Sequence, residues 1–310
     1  MTPQIESITG PAVPLKPLII RPAKGWRNLR IAELWHYREL LWFLAARDIK
    51  VRYKQTLLGA GWAVLTPFLT MVVFNVLFSV LMGRPPSPQG IPYAISTFCA
   101  LVPWQLFAHS LAQSGNSLVT NRNMITKVYF PRLIMPVAPT LAALVDFLIA
   151  FIVLVGMIAV YHFTRIGQPT VELEYKFHFT WQLCLLPVFV GLTVATSLAV
   201  SFWLSALNAI YRDFRYMIPF LVQMWMYLSP VIYATQDSRF QKYFTDNPWL
   251  ATLYGLNPMA GVLEGFRWVL LGAAPPPPAL MAASVSMVLV LFVGGALYFR
   301  RMEQTFIDLV

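Results

Sequence analysis

The chain has 310 residues, a hydrophobic fraction of 58%, a charged fraction of only 12% and a mean hydropathy of +0.62. This composition excludes a water-soluble globular protein and predicts an all-α integral membrane protein. The formal net charge of +10 does not indicate nucleic-acid binding, because a basic excess in a multi-span protein more often sets its topology.

The first stretch, residues 1–24, is polar and Pro-rich and lacks the apolar core of a signal peptide. We predict a cytoplasmic segment over residues 1–33 and an amphipathic interface helix over residues 34–57. When the residues are placed on a helix, with a rotation of about 100° per residue, apolar side chains fall on one arc and polar, largely basic side chains on another. The apolar arc holds Leu34, Trp35, Tyr37, Leu41, Trp42, Leu44 and Ile49; the polar arc holds His36, Glu39, Arg47, Lys50 and Lys54; and Arg38, Leu40, Phe43, Asp48 and Arg52 depart from the pattern. Indoles beside cations are typical of a helix in the membrane interface, although periodicity alone fits a simple surface anchor equally well.

Residues 58–310 are predicted to form one transmembrane domain with six spans. The apolar segments are residues 59–82, 93–113, 133–161, 181–207, 217–234 and 279–299. A helix rises about 1.5 Å per residue and the hydrocarbon core is about 30 Å thick, so segments of this kind can cross it. Residues 235–272 are irregular and include an apolar stretch, 258–272, that is too short to cross and is interrupted by Glu264 and Arg267. We predict re-entrant helices in this region.

Cations are distributed unequally over the alternate loops. Residues 1–57, 114–132 and 208–216 and the C-terminal tail together hold 17 Lys and Arg, whereas the opposite loops hold six, among them Arg267. Because Lys- and Arg-rich loops stay in the cytoplasm, both termini are predicted to be cytoplasmic.

The sequence contains none of the motifs that bind nucleotides or metals and no cluster of Cys and His. We therefore predict no catalytic residue, metal site or cofactor in this chain. Asp146 is the only acidic residue placed at membrane depth, and such residues are usually functional. Asp146 and one of the four histidines leave open an alternative function, a self-contained secondary carrier or a membrane acyltransferase.

Two predicted cytoplasmic loops, residues 114–132 and 208–216, are short, charged and aromatic. Arg212, Asp213 and Arg215 lie within four residues of one another. A solvated loop is the simplest interpretation. In a chain without an energy-coupling motif, such loops also fit a docking site for a separate cytoplasmic motor.

Five stretches of the chain resemble one family. They are residues 38–67, KVYFPR at 127–132, NAIYRDFRY at 208–216, LNPMAGVLEGFRWVLLG at 256–272 and YFRRMEQTFIDLV at 298–310. In this order they are similar to the permease subunit of type-2 ABC exporters for bacterial surface polysaccharides, which include lipopolysaccharide O-antigen, capsule and teichoic acid. The similarity runs from Gly25 onward.

The resemblance implies a homodimer in the bacterial cytoplasmic (inner) membrane that binds two copies of a separate ABC ATPase, which carries the ATP and Mg²⁺. The substrate would be a lipid-linked polysaccharide. The interface helix would gate the cytoplasmic entrance, the loop at 118–129 and the loop at 208–216 would contact the ATPase, and the re-entrant helices at 235–272 would close the outer side. The implied residues are Trp35, Trp42, Arg47, Lys50 and Arg52 for the gate, and Arg122, Lys127, Tyr129, Arg212, Asp213 and Arg215 for coupling to the ATPase.

Candidate path residues come from the residue types on two spans. Sugars are bound by flat aromatic faces and by amides, which a helix facing lipid does not need. The first span offers Phe68, Asn75 and Phe78 on one face, and the fifth offers Gln223, Tyr227 and Tyr233 within one arc. Ordinary helix packing is an equally good interpretation of each single residue.

Overall fold

A computed structural model describes residues 31–54, 59–82, 91–165, 181–235, 242–244 and 246–303. The predicted N-terminal segment over residues 1–33 lies almost wholly outside these ranges. Within them the regular structure is helical, as the composition predicts, and no strand occurs in the described part of the chain.

Eleven α-helices are numbered here in chain order over the described residues. They are α1 Ile31–His36, α2 Arg38–Tyr53, α3 Gly61–Met82, α4 Tyr93–Thr120, α5 Arg122–Lys127, α6 Ile134–Arg165, α7 Leu186–Ile210, α8 Phe214–Leu228, α9 Pro248–Gly255, α10 Pro258–Leu271 and α11 Pro278–Met302. A 3-10 turn, Trp181–Leu185, precedes α7.

Five helices are long and apolar enough to cross a membrane. These spans are Gly61–Phe78, Tyr93–Thr120, Ile134–Phe163, Trp181–Ile210 and Pro278–Met302. They confirm five of the six predicted apolar segments as membrane-spanning candidates. The chain is thus a multi-pass helical membrane protein.

The segment predicted as a fifth span, residues 217–234, differs from the expectation. The helix there, α8, begins earlier and has only 15 residues, which corresponds to about 22 Å. The last helical residue is Leu228, and Ser229 after it is extended, with a ψ of 152°. The helix stops here because Pro230 follows, and a residue before proline avoids the α region. Residues 229–235 continue as turns.

Helix α4 forms the centre of the bundle and packs against α3, α6, α7, α8 and α10. It is longer than the predicted span, because residues 114–120, which the sequence analysis assigned to a loop, continue as helix to Thr120. Buried Ser114 donates a hydrogen bond of 2.7 Å to the carbonyl of Pro136 on α6. Small residues of this kind allow transmembrane helices to approach closely.

A second apolar cluster joins several elements at one end of the bundle. We call it the end cluster; it includes Leu44 of α2, Leu118 of α4, Phe130 before α6, Phe202 of α7 and Phe299 of α11. Its members come from α2, from the C-terminal halves of α4, α7 and α11, and from the start of α6 with the chain that leads into it. This end of the bundle is the one predicted to be cytoplasmic.

Helix α10 is almost entirely buried. Arg267, which the sequence analysis counted among the loop cations, is 1% exposed and forms an ion pair of 2.9 Å with Glu264. That assignment was wrong, and the physical reason is that one helical turn places the two opposite charges together. Removing Arg267 from the loop count makes the predicted bias of cations stronger.

Candidate functional site

Helix α2 lies against α6 and presents two different surfaces. Leu44 and Ala45 are buried against the bundle, with exposures of 2% and 1%. Trp42 on α2 and Trp35 on the preceding helix α1 are 70% and 72% exposed, so the predicted indole anchors are available to a surrounding interface. Lys50 is exposed as well.

The helical pattern placed Arg47 on the polar arc, but its guanidinium does not point freely into solvent. Its Nη2 donates hydrogen bonds to Oδ1 of Asp48 at 2.9 Å and to Oδ1 of Asn121 at 3.1 Å. Asn121 is the residue that joins α4 to α5, and its Nδ2 donates to the carbonyl of Ser117 at 2.9 Å. The predicted gate helix is therefore bonded directly to the start of the predicted coupling helix.

Asp146 is not the isolated carboxylate that the sequence suggested. Arg52 Nη1 donates to its Oδ2 and Tyr53 donates its hydroxyl proton to Oδ1. His109 Nδ1 on α4 lies 3.7 Å from the same Oδ2. Burial lowers the pKa of the Arg52 guanidinium, whose nearest carboxylate is Asp146. The carboxylate of Asp146 therefore accepts hydrogen bonds from two residues in the last turn of α2.

The predicted coupling residues on the first loop are accessible. No residue of the short helix α5 is buried, and Arg122, Lys127 and Tyr129 are exposed. Phe130 is buried in the end cluster directly after them. The exposed helix is thus attached to the bundle by an aromatic side chain at its C-terminal side.

The second loop presents a similar exposed surface. Arg212, Asp213 and Arg215 are all exposed, and Tyr216 is 80% exposed. Asp213 occupies the N-cap position of α8, but its side chain makes no capping hydrogen bond. The carboxylate therefore forms no capping hydrogen bond in its own helix.

Hydrogen bonds place the two loops and α2 at the same end of the molecule. Buried Asn208, near the end of α7, donates to the carbonyl of Gly115 at 2.8 Å and to Oδ1 of Asn116 at 3.0 Å. Arg132 Nη1 donates to the carbonyl of Glu303 at the end of α11, and burial lowers the pKa of this guanidinium. The structure therefore brings together three elements that are remote in sequence.

The predicted path residues divide into two groups. Phe68 on α3 is 40% exposed, Tyr227 on α8 is 53% exposed and Gln223 is also exposed. The Phe78 ring lies 6.0 Å from the Tyr93 ring and packs against the core, and the hydroxyls of Tyr233 and Tyr254 are 2.7 Å apart. Phe78 and Tyr233 thus contribute to packing.

Asn75 on α3 is half-buried. Helix α3 packs against α4 and α6, while α8 packs against α4 and α7. The two predicted faces of the path are therefore carried by helices that each lie at the edge of the bundle.

One arrangement was missed from the sequence. Buried Arg267 donates to the carbonyls of Pro230 at 2.6 Å, Val231 at 3.0 Å and Tyr233 at 3.1 Å, and Glu264 Oε1 accepts from the backbone N–H of Thr235 at 3.0 Å. The ion pair thereby satisfies the backbone groups of the segment that follows α8. The signal in the sequence was the spacing of three residues between opposite charges in an apolar helix.

Asn257 reinforces this attachment from the other end of α10. Its Oδ1 accepts from Trp225 Nε1 on α8 at 2.9 Å and from the Met259 N–H at 3.1 Å, and its Nδ2 donates to Ser229 Oγ at 2.9 Å. Helix α10 therefore holds both α8 and the turns after it in place.

These features describe a multi-pass helical membrane protein whose charged, exposed loops meet at one end, a combination suited to transport driven by another subunit. A family model, ABC-2 type transporter, matches residues 39–271, and the chain belongs to this family. The match confirms the family resemblance predicted from the sequence.

Relatives with related names cover most of the chain. It is 27% identical over 276 residues to the O-antigen export system permease protein RfbA of Myxococcus xanthus, covering 88% of this chain and 96% of the relative. It is 29% identical over 229 residues to a protein of the same name from Klebsiella pneumoniae, covering 74% of this chain and 79% of that protein.

Proposed function

We propose that this chain is the permease subunit of an ATP-driven exporter that moves a lipid-linked polysaccharide of the O-antigen type across the bacterial inner membrane. The match to the ABC-2 type transporter family supports a membrane subunit of a transporter, and the named relatives support the class of substrate. The structural observation that carries the proposal is the convergence of α2, α5 and the loop at 211–216 at one end of the bundle.

A separate ATPase would supply the nucleotide chemistry, with ATP and Mg²⁺ bound on that partner. It would dock on α5 and the loop at 211–216, where Arg122, Lys127, Arg212, Asp213 and Arg215 are exposed. Charged residues at the rim of an interface control the rate and the register of docking more than the total affinity. Two ATPase copies would bind two permease copies, with both permease termini in the cytoplasm.

The exposed face of α8 supports a partner inside the membrane. Tyr216, Phe220, Gln223 and Tyr227 recur at spacings of three and four residues and are all exposed. In a homodimer, this face and the exposed side of α3 would line a shared path, with Phe68, Asn75, Gln223 and Tyr227 toward the glycan. Helix α8 and the turns held by Arg267 would form the fifth of the six crossings in chain order. Helices α9 and α10 would form the re-entrant pair.

The alternative function, a self-contained carrier or acyltransferase based on Asp146 and a histidine, is not favoured. Both carboxylate oxygens of Asp146 are engaged by side chains of α2, Arg52 and Tyr53, and the family match and the named relatives are those of transport proteins. His109 lies near Asp146, but the Arg52 guanidinium forms an ion pair with the same carboxylate oxygen.

Reconstitution with the cognate ATPase tests the proposal. The permease and the ATPase encoded beside it would be purified together and placed in proteoliposomes with lipid-linked O-antigen. We expect vanadate-sensitive ATP hydrolysis and ATP-dependent movement of the glycan only when both subunits are present. Movement of the glycan by the permease alone would contradict the proposal, and transport of a capsular polysaccharide in place of O-antigen would correct the substrate.

A further inference from the structure

We infer that Asp146 is the positioning residue that fixes α2 against the bundle through its ion pair with Arg52, and that this contact must open and re-form for coupled export. The inference rests on the proposed function. It assigns to Asp146 a structural partner on the predicted gate helix in place of a role in proton transfer.

Groups from three helices meet at this carboxylate. Arg52 and Tyr53 reach it from the last turn of α2, and His109 approaches it from α4. The side chains of Arg52 and Asp146 are 20% and 13% exposed, so water only partly screens the ion pair. An unpaired carboxylate in a membrane span is costly, so the pair favours α2 in its observed position.

Helix α2 ends at Tyr53, and Lys54 after it is extended, with a ψ of 130°. Gly59 has a φ of 49°, a left-handed conformation that interrupts helical geometry before α3 begins at Gly61. Polar contacts from Arg47, Arg52 and Tyr53, together with the buried Leu44 and Ala45, hold α2 on the bundle.

The apolar contacts of α2 include Leu40 and Leu41, which pack partly buried against the end cluster. Within α2, only Leu44 and Ala45 are buried. In addition, Nη2 of Arg52 is buried without a hydrogen-bond partner among the residues that the structure describes. The Arg52 guanidinium is thus incompletely hydrogen-bonded, and few residues of α2 are buried. A helix attached in this way is suited to leave the bundle and return to it.

Accessibility of a buried position on α2 provides the test. Cysteine would replace Ala45, which is 1% exposed, in a chain carrying Cys184→Ser, because Cys184 is itself exposed. Maleimide labelling and export per ATP would then be measured in the complete complex for Asp146→Asn, Arg52→Gln and the exchange Arg52→Asp/Asp146→Arg. Lys54→Gln, an exposed cation directly after the same helix that is not among the predicted gate residues, is the matched control.

We expect each single variant to increase labelling of the cysteine at position 45 about tenfold and to lower export per ATP, and the exchange to restore both. A tenfold change corresponds to about 1.4 kcal/mol in the opening equilibrium. Unchanged labelling in Asp146→Asn and Arg52→Gln, or a restored α2 without restored export in the exchange variant, would overturn the inference. If Asp146→Asn is not recovered, Arg52→Gln decides alone, because it leaves α6 intact.

The labelling arm requires no substrate. If the unaltered complex hydrolyses ATP but moves no glycan, the proposed function fails, while the labelling result still decides whether the ion pair holds α2.

Discussion

Arg47 and Asn121 are joined by a hydrogen bond of 3.1 Å between Nη2 and Oδ1, although they are 74 positions apart in the chain. Asn121 is the N-cap residue directly before α5, the helix proposed to contact the ATPase. Arg47 belongs to α2, the helix proposed to gate the entrance. A displacement of α5 would therefore reach α2 through one contact, without passing through the transmembrane helices.

Arg47→Ala should weaken coupling between ATP hydrolysis and export without reducing the amount of complex. The ion pair of Arg47 with Asp48 is partly exposed and contributes little stability, whereas the bond to Asn121 connects two functional elements. A coupling energy of about 1 kcal/mol corresponds to about a fivefold loss of export per ATP. Lys54→Ala, at an exposed cation directly after α2, is the control, and equal export per ATP in both variants would contradict the prediction.

Asp213→Lys should lower affinity for the ATPase by about tenfold, since reversing a charge at a docking surface places like charges together or removes a complementary pair. Asp213 is exposed and makes no capping bond, so membrane insertion and the melting temperature should not change. Titration of detergent-solubilised permease with labelled ATPase measures the effect. Asp246→Lys reverses another exposed carboxylate, at the start of the proposed outer region, and should leave the affinity unaltered.

Arg267→Met should destabilise the fold by about 3–5 kcal/mol, because it leaves the buried charge of Glu264 and several carbonyls without a partner. The double variant Glu264→Gln/Arg267→Met should lose less, since no charge is stranded and the amide oxygen introduced at position 264 can still accept from the Thr235 N–H. Thermal unfolding of the purified permease distinguishes the two. A double variant less stable than the Arg267 single variant would show that the ion pair is not the reason for the loss.

Close helix packing between α7 and α11 gives a fourth prediction. A Cβ added at Gly295 would lie 2.7 Å from the carbonyl oxygen of Ala199 and 2.8 Å from Trp203, so Gly295→Ala should cost about 1–3 kcal/mol. Gly156→Ala on α6 is the matched control, because a Cβ there meets nothing within 4 Å and should be neutral or slightly stabilising. Melting temperatures of the two variants in the same detergent provide the comparison.

The spans were predictable from the sequence because a long apolar run has few alternatives to a helix in hydrocarbon. The early end of α8 was also encoded, since Ser229 precedes Pro230, but the apolar run around it masked this signal. The last two turns of α4, residues 114–120, were missed because their Ser, Asn and Gly residues have the composition of a loop, whereas small polar residues in a bundle allow close packing.

Long-range pairing could not be predicted in the same way. Arg52 departed from the helical pattern and Asp146 stood alone in its span, and nothing local connects residues 94 positions apart. The exposure of the coupling residues, in contrast, followed from their charge. The sequence therefore indicated which charged residues are exposed more reliably than it indicated which residues pair with one another.

The last prediction separates a glycan path from ordinary packing. Tyr227 is 53% exposed on α8, whereas Phe78 packs against the core with its ring 6.0 Å from that of Tyr93. Tyr227→Ala should lower export while leaving the melting temperature and the recovered complex unchanged, because an exposed aromatic face is available to sugar C–H groups. Phe78→Ala should lower the melting temperature, and export only in proportion to the loss of folded protein. Asn75→Leu should behave as Tyr227→Ala does if its amide faces the path. Export from cells, divided by the amount of complex recovered, gives the decisive quantity; the same normalised export for Tyr227→Ala and the unaltered chain would remove Tyr227 from the path.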